Sequence, residues 1–132
     1  MGFKRILVPL DGSELAERAA APALALAEAI SAKVTFLRVV IPLPLNLDPD
    51  FYQHIIEIGT DEAERYLQKA QHRWSLPPVE IGLDTIVGSP VRSIINYVQE
   101  NAIDLIVMSS HGRSGISDWT SQSERSHFLE RS

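Results

Sequence analysis

Ile6-Leu7-Val8 opens the chain as a short unbroken apolar run, closed by Pro9 and Asp11-Gly12. A run without alternation predicts a strand buried on both faces. From Ser13 to Ala32 the chain turns to Ala, Leu and Glu, with Leu15, Ala19, Leu26 and Ile30 near helical spacing and Glu14, Glu17, Arg18 and Glu28 left for water. Ser13 is placed to cap this helix, and Pro22 inside it predicts a bend or a lost backbone bond. Val34 to Val40, VTFLRVV, predicts a second strand, and Pro42, Pro44 and Pro49 mark a loop after it. A second helix is predicted from about Asp50 to Trp74, with Glu62, Arg65, Gln68 and Lys69 on its wet side and Gly59 as its weak point. Alternation through Val79, Ile81, Leu83, Thr85 and Val87 predicts a third strand. Gly88-Ser89-Pro90 is a turn, Pro90 suits the first turn of a third helix, and Val91, Ile94, Ile95 and Val98 give that helix its stripe to about Asn101. Asp104 to Ser109, DLIVMS, predicts a fourth strand, again apolar on both faces.

The order β-α-β-α-β-α-β implies an α/β fold: one domain built on an open parallel sheet with helices on both faces. The composition suits a folded core, since 45% of the 132 residues are hydrophobic and 22% charged. A net charge of −5 argues against a nucleic-acid partner, which needs a basic face. With no cysteine, disulfides, thiolate metal sites and cysteine nucleophiles are excluded. No apolar stretch is long enough for a membrane span, and Asp11 interrupts the only apolar run near the N-terminus, so a soluble, cytoplasmic protein is expected.

In open parallel sheets ligands bind beyond the carboxyl ends of strands, where strand order reverses. Two segments fall there: Pro9 to Ser13 after the first strand, and Ser109 to Gly115 after the fourth. In the second, Gly112 and Gly115 permit close backbone approach, Ser109, Ser110, Ser114 and Ser117 add hydroxyls, and Arg113 adds a cation. Such a loop can surround a phosphate, or it can be a plain turn that uses Gly and Ser for backbone reasons. Asp11 can accept from a base amino group or a ribose hydroxyl, or it can serve only as a helix cap. Met108 and Val39 end their strands at the same edge, as core packing or as the apolar wall of a planar base.

VPLDGS (Val8 to Ser13), FLRVV (Phe36 to Val40), VGSP (Val87 to Pro90) and DLIVMSSHGRSGISDW (Asp104 to Trp119) together resemble the universal stress protein family. The resemblance runs from residue 3 to about 119, and the fourth-strand block is its most specific part. It implies a Rossmann-like, adenine nucleotide alpha hydrolase-like sheet of order 3-2-1-4-5 with its switch point between strands one and four. The family's ATP-binding members carry Gly-x-x-Gly-x9-Gly-Ser/Thr. Here Ser109 takes the first glycine position, Gly112 the second, and Gln122-Ser123 the final pair, so two of the three glycines are replaced. By resemblance, Pro9, Leu10, Asp11 and Val39 hold the adenosine end of ATP, ADP or AMP, with Met108 beside them. Ser109, Gly112, Arg113 and Ser123 hold the phosphates, with Mg as their companion ion and no metal site of the protein's own. The implied role is a nucleotide-binding stress-response or signalling module. The alternative is a non-nucleotide interaction protein of the same fold, as in the branch of the family that lacks the motif.

The tail departs from the resemblance. Thr120 to Ser132 has only Phe128 and Leu129 as strongly apolar residues and no β-branched run, so the expected order is 3-2-1-4 with the fifth strand missing. The usual dimer through fifth strands is then unavailable. The fourth strand becomes an apolar edge, and a homo-oligomer through that strand or the C-terminal segment is expected. Enzyme readings are poorly supported. There is no Walker loop, no Gly-x-Gly-x-x-Gly and no Gly-x-Ser-x-Gly; His54 and His72 are too far apart to ligate one metal; His111 lacks an orienting carboxylate. At most a weak ATP hydrolysis is expected.

Overall fold

The computed structural model describes residues 4–42, 48–109 and 128–131. The elements run β1 (Arg5–Leu10), α1 (Glu14–Glu17), α2 (Ala20–Ile30), β2 (Lys33–Val40), α3 (Pro49–Arg73), β3 (Ile81–Val87), α4 (Pro90–Glu100), β4 (Leu105–Ser109) and β5 (Phe128–Arg131). All strand pairs are parallel, in the order β3-β2-β1-β4-β5. The α/β class and its open sheet are those the apolar pattern implies.

Both faces of the sheet are packed. Ile6, Val8, Val34, Phe36 and Val107 face α2 and α3, where Ala19, Ala20, Ala23 and Ala27 have no exposed surface. Alanine along that face lets α2 lie close to the strands. Leu7, Leu37, Ile106 and Met108 form the second, smaller core with Ile94 and Tyr97 of α4 and with Ile103. Gly59, the expected weak point of α3, lies against β2. A methyl group there would approach Val40 Cγ1 to 3.3 Å, so the missing side chain lets helix and strand come together.

Two expected elements are corrected. The single helix over residues 13–32 is two helices, broken at Arg18–Ala19. Pro22 accounts for the position of the break: its ring would clash with the carbonyl four residues back, that of Arg18. Restarting at Ala20 puts Pro22 in the first turn of α2, where a missing N–H costs nothing. The expectation that the fifth strand is missing is also overturned. Phe128–Arg131 pairs with β4 from Ile106↔Phe128 to Ser109↔Arg131. Main-chain bonds to one neighbour hold such an edge strand, so it needs no β-branched run. β4 is therefore flanked on both sides, and the bare β4 edge on which the oligomer expectation rested does not exist.

Glu17, expected to face water, is instead only 9% exposed and ties α1 to the end of α3. Tyr66 Oη donates to Glu17 Oε2, Arg73 donates from Nε and Nη2 at 2.8–3.0 Å, and Trp74 Nε1 donates at 2.9 Å. Burial pushes the Glu17 carboxyl up, but the bonds from Tyr66, Trp74 and Arg73 outweigh it and hold it below the ordinary range. A depressed carboxyl stabilises the fold above its unfolded pKa of about 4.3 and loses that contribution as pH falls through the folded value. Glu17→Gln is therefore expected to cost about 1–3 kcal/mol at neutral pH. It should also flatten the acid limb of the pH–stability curve, measured by urea unfolding monitored through tryptophan fluorescence. A variant that retains the wild-type acid limb would show that Glu17 does not set it.

Candidate functional site

β1 and β4 pair at only two positions, Ile6↔Leu105 and Leu7↔Ile106. Beyond them β1 stays with β2 as far as Leu10↔Arg38, while β4 goes on with β5. The two central strands part at their carboxyl ends, and a crevice opens between them. Pro9 lies past the last β1–β4 pair, on a stretch of β1 with one unpartnered side, which is where a strand accommodates a residue without an N–H.

The crevice has a volume of about 290 Å3, near the lower end of small-molecule sites at roughly 300–1,000 Å3. Pro9, Leu10, Asp11, Val39, Met108 and Ser109 all line it, so six of the nine residues singled out from the sequence meet in one place. Gly112, Arg113 and Ser123 lie outside the described residues, as do the loop beyond Ser109, His111 and Gln122. Leu15 and Ala16 of α1 and Pro90, Val91 and Ile94 of α4 also line it, with Ser13, Leu37 and Ile41. The sequence reading missed these residues as site residues. The signal for α4 was present: its first turn follows the end of β3, and so sits at the same edge of the sheet as the ends of β1 and β4.

Asp11 is exposed at the rim. Its Oδ1 accepts from Ser13 N at 2.9 Å and Ser13 Oγ at 2.6 Å, and Ser13 Oγ in turn accepts from Ala16 N at 3.1 Å, capping α1. Asp11 thus holds the turn that starts α1, as the capping reading has it. Its Oδ2 has no protein donor among the described residues and remains available to a ligand. Burial pushes the carboxyl up, but the Ser13 bonds, its own backbone N–H and the nearby Arg38 guanidinium together hold it below the ordinary carboxylate range. Arg38 also lies 5.2 Å over the Tyr66 ring, so its guanidinium joins the turn to α3. Ser109 is buried at the end of β4, and Met108 is shared between the α4-side core and the crevice wall.

Among the described residues no group of three or more His, Asp or Glu could hold a metal ion. His54 and His72 are both exposed on α3. No described helix is long and apolar enough to cross a membrane.

Gly12 carries φ of +91°, and a methyl group on it would stand 3.2 Å from Arg38 Nη1. Gly12→Ala is expected to destabilise the protein by about 1–2 kcal/mol through backbone strain. Urea denaturation measures this, and an unchanged midpoint would mean that the turn relaxes freely.

The family model described as the universal stress protein family matches residues 2–127. A universal stress protein of Thermus aquaticus is 31% identical over 114 residues, which cover 86% of this chain and 82% of that protein. A universal stress protein solved in complex with cAMP superposes with a TM-score of 0.72 at 20% identity, covering 100% of this chain and 99% of that one. A universal stress protein family protein from Arabidopsis thaliana with AMP bound superposes with a TM-score of 0.64 at 12% identity, covering 97% and 90%. These two likenesses establish the shared fold.

Proposed function

The chain belongs to the universal stress protein family, and from that premise we propose that it binds an adenine nucleotide in the β1–β4 crevice as a stress-response or signalling module. The observation that carries this reading is the meeting of Pro9, Leu10, Asp11, Val39, Met108 and Ser109 around one mostly apolar slot with a carboxylate at its rim. In this reading the base lies between Val39, Met108 and the Pro9-Leu10 wall. Asp11 Oδ2 accepts from a base amino group or a ribose hydroxyl. Ser109, Gly112, Arg113 and Ser123 contact the phosphates, and any Mg arrives with them. The relatives in complex with cAMP and with AMP support the choice of ligand class. The function is binding rather than catalysis, with the bound state favouring one partner-facing conformation. The second reading, a non-nucleotide interaction module working in the cytoplasm as a homo-oligomer, is favoured by Gln122, which replaces the last glycine of the family's ATP motif.

Titration calorimetry with AMP, cAMP, ADP and ATP, together with mass spectrometry of ligand released on denaturation, separates the two readings. Saturable binding near one per chain is expected, and no heat with any of the four overturns the nucleotide reading. Asp11→Asn keeps an acceptor for Ser13 and removes the charge; it should weaken binding by about tenfold, equivalent to ~1.4 kcal/mol. Its melting temperature should stay near wild type. Gln122→Gly should strengthen ATP binding relative to AMP, and an unchanged ratio would remove Gln122 as the determinant.

A further inference from the structure

α1 is placed by a charge rather than by packing. Glu17 is the only buried residue among its four. Leu15 lines the crevice, and Ala16 is divided between the crevice and the core beneath α2 and α3. A helix of four residues has no stability of its own. Its hold on the fold is therefore the Glu17 carboxylate, which accepts from Tyr66, Arg73 and Trp74.

Stability alone does not account for this arrangement. Burying a leucine is worth roughly 1.5–3 kcal/mol, whereas a buried carboxylate with its donors about breaks even against apolar packing. α1 forgoes the more favourable burial and leaves Leu15 to the crevice. A second connection reaches the same anchor from the rim. Arg38 lies against the Gly12 turn, attracts the Asp11 carboxylate and stands 5.2 Å over the Tyr66 ring. Asp11 and Glu17 are thus linked along α1 through the Ser13 cap, and across the strand ends through Arg38 and Tyr66. Tyr66, Arg73 and Trp74 themselves stand outside the crevice lining.

We propose that Glu17 is the positioning residue of the crevice: it fixes the wall formed by Leu15 and Ala16, and occupancy of the crevice is transmitted through α1 to Trp74. This rests on the reading of the crevice as an adenine-nucleotide site and names how that site is linked to the rest of the fold. Without the donors at Glu17, α1 samples undocked positions. Only the docked fraction binds, so the apparent affinity falls in proportion to that fraction. The linkage is reciprocal: a ligand packed on Leu15 stabilises the docked helix and with it the bonds at Glu17.

The test is calorimetry with AMP, cAMP, ADP and ATP. The tightest of the four is then followed in proton–nitrogen correlation spectra through the Trp74 indole N–H, assigned by its absence in Trp74→Phe. Both are run on wild type, Glu17→Gln, Tyr66→Phe and Asp104→Asn. Asp104 is the control, because its carboxylate accepts from the N–H groups of Lys4 and Arg5 at 2.8 and 2.9 Å, at the far end of β1 and β4 from the crevice. Glu17→Gln should weaken binding by at least about fivefold and Tyr66→Phe by about threefold, while Asp104→Asn lowers the melting temperature and changes affinity by less than about twofold. The Trp74 resonance should shift on saturation of wild type and shift less in Glu17→Gln. Undiminished affinity in Glu17→Gln and Tyr66→Phe, an equal loss in Asp104→Asn, or a Trp74 resonance indifferent to saturating nucleotide each overturns the proposal and leaves the nucleotide reading standing. No heat with any of the four on wild type overturns that reading and this proposal with it. If Glu17→Gln does not fold, Tyr66→Phe, which keeps the bonds from Arg73 and Trp74, decides the matter.

Discussion

The fold turns on the point where two central strands stop pairing. β1 and β4 share two residue pairs and then separate, each keeping its other neighbour. That separation goes with strand order: the sheet runs outward from β1 through β2 to β3 on one side and from β4 to β5 on the other, so the order reverses between β1 and β4. The gap between them cannot be filled by a crossover helix. Side chains at the strand ends close its floor, and Met108 belongs at once to the packed core and to the crevice wall.

The crevice wall is held from behind by polar contacts that the apolar core does not provide. Asp11 and Ser13 fix the turn into α1, and Glu17, one turn on, fixes α1 to Tyr66, Arg73 and Trp74. Arg38 closes the circuit by lying over Tyr66 and against Gly12. A buried carboxylate with donors on both oxygens is costly to break and geometrically specific. The four-residue α1 is too short to be stable by itself, and this network is what gives it a fixed place beside the site. A similar device anchors the other core: Tyr97 Oη donates to Asp84 at 3.0 Å, and burial together with that carboxylate pushes the phenol up to about 12.

The central strands were legible because burial on both faces leaves no alternation: Ile6-Leu7-Val8 and Leu105 to Met108 have no other reading at that length. The long helix α3 and the Pro90 start of α4 followed from periodicity and proline chemistry. What was illegible has common causes. Pro22 announces a disturbance, yet its steric conflict lies four residues upstream, so the break appears at Arg18 and not at the proline. FLER has no strand signature of its own, because pairing with β4 places it there. Pro9 seemed to end β1, and β1 runs through it because the adjacent strand has already turned away. At the site, strand-end residues were found by the switch-point rule, whereas Leu15, Ala16 and Val91 required knowing which helices overhang the crevice.

Charge orients whatever enters. Among the described lining residues there is no cation and one carboxylate, Asp11, held ionised at neutral pH. Arg38 sits behind the Gly12 turn, and its charge is directed at Asp11 and the Tyr66 ring rather than into the crevice. An anionic group placed against Asp11 would face an uncompensated like charge in a partly desolvated slot, whereas a neutral donor there gains a charge-assisted hydrogen bond. A ligand with a flat apolar body, a donor edge and a remote anion therefore has one favourable orientation. Its donor edge meets Asp11, its body lies along Val39 and Met108, and its anion is directed away from Asp11. The apolar wall and the acid at its rim thus select for polarity within the ligand as well as for its shape.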